Sequence, residues 1–341
     1  MSINIPDKAY GTMSLTWTNT PPKREESLEI LKYLYEKKGL RHFNGGMLYQ
    51  SDPAFNNLQL LSEFFESFDG SDCIFSFKGC INKMTYMPDS SPEFIDTEFL
   101  EIAEAFKKVT NKPKVIFNIG RIDKTRPMEE VAKYLQKKVS QDELIVGWGI
   151  SECGPETLYK AVSTAEVSLL ELEISMLTQD VIDLGTLKIA SDYGVPIIAY
   201  SPMAKGLLTD KGVSPGYLEY LGPTSRVIAA GFDRFKPENY EANLKFLKQL
   251  YDYAHNKKNC SLQQLALAYV SGLSGLENFK DITKVTKIVP LPGSANLENI
   301  DQLYSEVKLS STEVLEIQDI IGSNTVHGIR YNSLFAPTLN A

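Results

Sequence analysis

KVIFNIGRIDKTRPMEEVAKYLQKKV, residues 114–139, changes its hydrophobic period halfway along. Its first part, KVIFNIG, is a short apolar run bounded by a glycine, the signature of a strand buried on both faces. PMEEVAKYLQKKV spaces its apolar residues as one face of a helix, and Pro127 suits a first helical turn. Strand and helix take turns outward in both directions. Upstream lie MSLTW (13–17) with a helical stripe at Leu28, Leu31 and Leu34, RHFNGG (41–46) with AFNNLQLLSEFFESF (54–68), and CIFSFKG (73–79) with TEFLEIAEAFKKVT (97–110). Downstream, LIVGWGIS (144–151) leads to a helix at 155–165, VSLLELEIS (167–175) to one at 180–194, and VPIIAYSP (195–202) to a long loop. KIVPLPGS (287–294) and a helix at 297–307 close the series.

Eight strand–helix units imply a parallel sheet, and over this length a closed barrel: an α/β fold of the (β/α)8, or TIM, type. An open dinucleotide-binding sheet would carry GxGxxG after its first strand, and GTMSLTWTN does not. An extra helix is expected after strand seven, at 238–258, and a Ser-capped helix at 310–321 precedes the C-terminal tail. No linker divides residues 1–341, which read as a single domain. The irregular stretch 209–237, rich in Gly and Pro, falls at the carboxyl face, where barrel enzymes hold their sites.

Composition narrows the function. Forty-three acids against 35 lysines and arginines leave a net charge of −8, with both signs interspersed, so phosphate-directed nucleic-acid binding is not expected. No apolar run is long enough for a membrane span, and the N-terminus has no signal-peptide pattern. Four cysteines without CxxC spacing suit a reducing compartment; the expected location is cytoplasmic, with nuclear access open. Three histidines without ligand spacing leave no metal site to expect. Oligomeric state is left open.

At the strand ends stand Asn44 and Tyr49, Lys78, Gly120-Arg121, Ser151-Glu152, Glu171 and Glu173, Tyr200-Ser201-Pro202, and Pro292-Gly293-Ser294. Lys78 ends an apolar strand, so its ammonium must either reach solvent or meet a partner. Beside Tyr49, at about 4 Å, it is worth roughly 4 kcal/mol at an effective dielectric of ~20, enough to lower a phenol by up to a few pKa units. Such a phenol is a general acid. The plainer reading makes Lys78 a solvated charge and NGG a turn.

Seven pieces in order resemble the aldo-keto reductase superfamily over nearly the whole chain: YGTMSLTW, FNGGMLYQ, SFKG, GISEC, LELEISMLTQDVI, AYSPMAKGLL and VPLPGS. That resemblance implies reduction of an aldehyde to an alcohol with NADPH, giving NADP+, with Tyr49 as proton donor and Lys78 beside it. Tyr200 would stack on the nicotinamide. Ser151, with Glu152 and Glu171 in the places of amides, would face the carboxamide. Ser201, Pro202, Met203, Gly206 and Leu207, with the 209–237 loop on the cofactor side, would hold the pyrophosphate. Gly293, Ser294 and Asn299 would meet the adenosine end, Asn299 standing where a basic residue commonly grips the 2′-phosphate; Arg226, Arg234 and Lys236 are candidate substitutes.

Two positions of the superfamily's Asp-Tyr-Lys-His tetrad differ: Asn44 replaces the aspartate and Gly120 the histidine. Lys78 would then lack its counter-ion and titrate lower, while Gly120 would open space beside the carbonyl for a bulkier aldehyde. FNGG, FKGC, GRID, GISEC and VHGIRY resemble the fungal pyridoxal reductase branch, which implies a pyridoxal-like substrate. The altered tetrad also admits a catalytically weak NADP(H)-binding regulatory protein, although both Tyr49 and Lys78 remain. A barrel hydrolase or isomerase lacks a carboxylate pair or metal cluster at the strand ends.

Overall fold

The computed structural model describes residues 3–52, 55–334 and 336–341. Ala54, where the second expected helical stretch begins, lies outside them. Eight parallel strands form one sheet: β1 (Tyr10–Gly11), β2 (His42–Gly46), β3 (Ile74–Gly79), β4 (Lys114–Ile119), β5 (Ile145–Ser151), β6 (Leu169–Glu173), β7 (Ile197–Tyr200) and, after the antiparallel hairpin β8 (Glu277–Phe279) and β9 (Ile282–Lys284), β10 (Ile288–Leu291). Neighbours in space are neighbours in sequence, the simplest path for strands joined by helical crossovers. Gly11 N donates to Pro292 O at 2.9 Å, so the last strand comes back to the first and the sheet nearly closes. Gly293 permits that approach, since a Cβ there would lie 2.6 Å from Gly11 O. This is the expected (β/α)8 barrel.

Side chains alternate along each strand, so one set fills the barrel and the other meets the helices. Ile74, Ile116, Leu169, Ile198 and Val289 form an apolar plug with Ile5 and Ala9 at the amino end. One step higher the interior turns polar: His42, Asn44, Ser76, Asn118 and Glu171 are all buried. Buried polar groups there are costly without partners; most are paired, while Asn118 has no side-chain hydrogen bond among the described residues. The outward set packs on helices whose starts are chemically marked, as at Asn56, Ser91, Ser261 and Ser310, whose side chains accept from the first turn.

Four local expectations change. MSLTW is not a strand: β1 ends at Gly11, and Met13–Thr16 is a helical turn at the barrel mouth. Thr12 N reaches Asn44 O at 2.9 Å, after which the chain leaves the ladder, and β-propensity yields to that placement. The helix expected at 180–194 is two, Asp180–Asp183 and Thr186–Asp192, broken by Gly185 at φ +88°. The 209–237 stretch is a chain of short helical turns at Lys211–Val213, Tyr217–Leu221, Arg226–Ala229 and Asp233–Phe235. Hairpin β8–β9 had no counterpart in the sequence reading. The extra helix Pro237–Asp252 and the late helix Ser311–Gly322 are present.

Candidate active site

Tyr49 is half-buried at the mouth and fixed through its backbone. Its carbonyl accepts from Thr16 Oγ1 at 2.8 Å and from Asn57 N at 3.1 Å, and its N–H reaches Gly46 O at 3.0 Å. The ring stacks on Trp17, with centroids 5.2 Å apart and planes 25° apart. The two glycines before it give space locally. A Cβ at Gly45 would lie 2.2 Å from Asn57 Oδ1, and one at Gly46 would touch the Tyr49 ring at 3.4 Å.

Lys78 Nζ lies 5.2 Å from the centroid of that ring. It donates to Asn44 Oδ1 at 2.7 Å and to Glu171 Oε1 at 2.6 Å, in a pair with side chains only 10% and 4% exposed. Asn44 Nδ2 donates to Glu171 Oε2 at 2.8 Å and to Ser76 Oγ at 2.9 Å, and Ser76 Oγ meets His42 Nε2 at 2.8 Å. Because Asn44 Nδ2 already donates to Ser76, the hydroxyl proton is free to go to His42 Nε2. Burial pulls the His42 imidazole down to about 3, so it is neutral and can accept.

Two sequence expectations are corrected here. Lys78 does not lack a counter-ion: Glu171 supplies the carboxylate from β6 in place of one at position 44. Burial, the largest single influence, lowers the ammonium, but the charge and hydrogen bond of Glu171 together with Tyr49 outweigh it and hold Lys78 above the usual lysine range. Nor is Tyr49 lowered. Burial raises the phenol, Glu171 raises it further, and Lys78 and Arg226 offset only part.

Other expected residues are spread around the mouth. Ser151 Oγ donates to Glu171 O at 3.0 Å, and Glu152, at φ +57°, is clamped by Arg330 at 3.0 and 2.8 Å. Glu152 also accepts from Tyr200 Oη at 2.6 Å, so both carboxylates set in amide positions are engaged by the protein. Burial raises Glu152 most, yet Arg330, with Arg121 and the Tyr200 hydroxyl, holds it below the usual carboxylate range. Ser201, Ala204 and Lys205 take left-handed backbone before Gly206, while Pro202 and Leu207 are buried and Met203 half-buried. Ser294 and Asn299 face outward near the end of β10, with Asn299 Nδ2 at 3.5 Å from Ser294 Oγ. A Cβ at Gly120 would meet Ile81 Cδ1 at 2.8 Å and Gly79 O at 2.9 Å, so this glycine serves a close approach between the ends of β3 and β4. Of the loop cations, Arg234 is tied to Thr178 and Gly328, and Lys236 to Asp233.

Sequence reasoning gave no role to Glu173, which Lys205 meets at 2.9 and 3.0 Å and Arg330 at 3.5 Å, and it missed Trp17 and Tyr331. One signal was available. Glu171 and Glu173 are two apart on one strand, so both face the interior and both demand a cation. VHGIRY carries one of those cations, Arg330.

Residues 9–321 match the Aldo/keto reductase family, and the chain belongs to that family. It is 28% identical over 335 residues to the probable pyridoxal reductase 2 of Schizosaccharomyces pombe, covering 97% of this chain and 96% of that one. The putative pyridoxal reductase of Saccharomyces cerevisiae is 25% identical over 326 residues, 90% of each chain. Among solved structures, the glycerol dehydrogenase of Gluconobacter oxydans superposes with a TM-score of 0.74 at 16% identity, over 96% of this chain and 95% of that one. Aldo-keto reductases are oxidoreductases that generally use NAD(P)H. No helix among the described residues is long and apolar enough to cross a membrane.

Proposed function

We propose that this protein is an NADPH-dependent reductase of a pyridoxal-like aromatic aldehyde, with Tyr49 as the proton donor. The observation that carries this reading is the Tyr49 ring stacked on Trp17 with the Lys78 ammonium beside it, and Lys78 charge-balanced by Glu171. A phenol raised by burial is fully protonated at neutral pH, which is the state an acid needs before the reaction. As the substrate oxygen gains negative charge, the Tyr49 proton moves to it, and Lys78 stabilises the phenolate left behind. Asn44 and Glu171 act through Lys78 and hold its Nζ in place. Gly120 gives the mouth its close β3–β4 contact.

The mouth suits a phosphate-bearing cofactor, because Arg330 and Lys205 neutralise the acids Glu152 and Glu173 around it. When bound, NADPH supplies the hydride that reduces the carbonyl carbon. Tyr200, Ser151 and the segment from Ser201 to Leu207 would hold it, with Gly293, Ser294 and Asn299 at its far end. Tyr200 enters with its ring orientation fixed, since its hydroxyl is tied to Glu152 at 2.6 Å and to Tyr331 at 3.2 Å.

The test is NADPH oxidation by wild type and Tyr49→Phe with pyridoxal and a panel of plain aromatic aldehydes. Loss of turnover in Tyr49→Phe with unchanged NADPH affinity supports the assignment. Wild type that binds NADPH but oxidises it with none of the aldehydes is instead a regulatory NADP(H)-binding protein. Affinities for NADPH and NADH in the same series decide cofactor choice.

A further inference from the structure

Arg226 stands out among the cations of the mouth. It comes from the short helix Arg226–Ala229 in the loop after β7 and lies half-buried. Its guanidinium carbon sits 4.0 Å from the Trp17 ring centroid, and Nη1 donates to Met13 Sδ at 3.0 Å. Trp17 in turn stacks on Tyr49, whose other neighbour is Lys78. Lys78, Tyr49, Trp17 and Arg226 thus form a chain of neighbours with a cation at each end. The Lys78 end is neutralised by Glu171. The Arg226 end meets only a thioether and an aromatic face, with no carboxylate among the described residues. A guanidinium offers five N–H donors in a fork that matches carboxylate and phosphate oxygens, so most of its capacity is unused.

Arg121 is a second cation of the mouth, on which the Glu152 carboxylate acts. It follows β4, is half-buried, and among the described residues hydrogen-bonds only to Gly120 O, at 2.7 Å. Both arginines are near enough to Tyr49 to act on its phenol electrostatically. Around them, Lys205 and Arg330 are matched to acids and Arg121 shares the Glu152 carboxylate, so the cation of the mouth left without an acid among the described residues is Arg226.

We infer that the substrate is an aldehyde carrying an anionic group, a phosphate or a carboxylate, which Arg226 binds, with Arg121 adding to the attraction. This rests on the reductase reading and deepens it by naming the substrate class. Arg226, held against Trp17 beside Tyr49, gives the anion of such a substrate a fork at the mouth.

Matched pairs test it: pyridoxal 5′-phosphate against pyridoxal, and 4-carboxybenzaldehyde against benzaldehyde, in kcat/KM. Affinities of the non-reacting pair pyridoxine 5′-phosphate and pyridoxine, from quenching of Trp17 and Trp148 fluorescence, give a readout that needs no turnover. Wild type should favour the anionic member of at least one pair by about tenfold, roughly 1.4 kcal/mol. The pair that discriminates identifies phosphate or carboxylate. Arg226→Gln should bring the ratio near one, and Arg226→Lys, which keeps the charge without the fork, should retain part of it. Ratios near one in wild type overturn the inference. So does an unchanged ratio in Arg226→Gln with a weakened NADPH affinity, which would assign Arg226 to the cofactor. If no aldehyde is reduced but pyridoxine 5′-phosphate binds selectively and depends on Arg226, the anion site stands and the reductase reading falls.

Discussion

Replacing Glu171 by Gln removes the only carboxylate that Lys78 touches among the described residues. At 2.6 Å, opposite unit charges attract by roughly 6 kcal/mol at an effective dielectric of ~20, before the cost of burying them is subtracted. Breaking one side of a buried pair costs about 3–5 kcal/mol. The amide recovers part of this as a hydrogen bond, but its polarity is wrong for the site. With its oxygen toward Lys78, its NH2 faces the Asn44 NH2; flipped, its NH2 faces the ammonium. One donor–donor contact survives either way, so Glu171→Gln is expected to lose about 2–4 kcal/mol in urea unfolding. The double change Asn44→Asp with Glu171→Gln should recover most of that loss. The introduced aspartate then accepts from Lys78 and from the new amide, whose oxygen also accepts from Lys78. Ser76 can turn its proton toward that carboxylate. The pH–rate profile of aldehyde reduction is a second readout. Glu171 raises the Tyr49 phenol, so removing its charge lowers it. Activity needs the phenol protonated and is lost above its pKa, so the alkaline fall in kcat/KM should move to lower pH. A single variant as stable as wild type with an unmoved profile, or a double variant no better than the single, would refute the pairing as described.

Two further outcomes test the scaffold. Glu98 is buried behind the end of β3, where Oε2 accepts from Cys80 N at 2.7 Å while Oε1 has no partner, and burial pushes its carboxyl up to about 8. An acid raised on folding keeps its proton in the native state after the unfolded chain has released it. Stability should therefore fall between about pH 4.5 and 8, by roughly 3–5 kcal/mol in total, and Glu98→Gln should flatten that slope in urea melts taken across the range. Gly45→Ala places a Cβ 2.2 Å from Asn57 Oδ1, and so disturbs the residue whose N–H holds the Tyr49 carbonyl. It should cost about 1–3 kcal/mol in the same assay and reduce turnover; unchanged stability would show that Asn57 can move away freely.

Much of the fold was legible because a barrel strand buried on both faces and an amphipathic helix leave different periods in sequence. KVIFNIG and PMEEVAKYLQKKV show both within residues 114–139. MSLTW misled because its residues favour a strand locally, while Thr12 is held by Asn44 of β2 and turns the chain. Tyr49 and Lys78 could be picked out as titratable groups at the strand ends, Lys78 closing an apolar strand and Tyr49 following one. Their titration could not: Lys78 was expected low for want of an acid, and Tyr49 low because of Lys78, and both are raised.

What the sequence determines here is local: the order of strands and helices, the strand ends, and which chemistry-bearing side chains stand there. Tertiary structure alone decides which charge meets which. Closing the sheet turns the alternate residues of every strand onto one shared interior, so Glu171 and Lys78, 93 residues apart, meet at 2.6 Å. Arg330 of the C-terminal tail reaches Glu152 across 178 residues by folding back over the barrel mouth. Period and propensity act along one strand or helix and carry no information across the barrel, whereas charge pairing and burial act through space, and they set the protonation of the site.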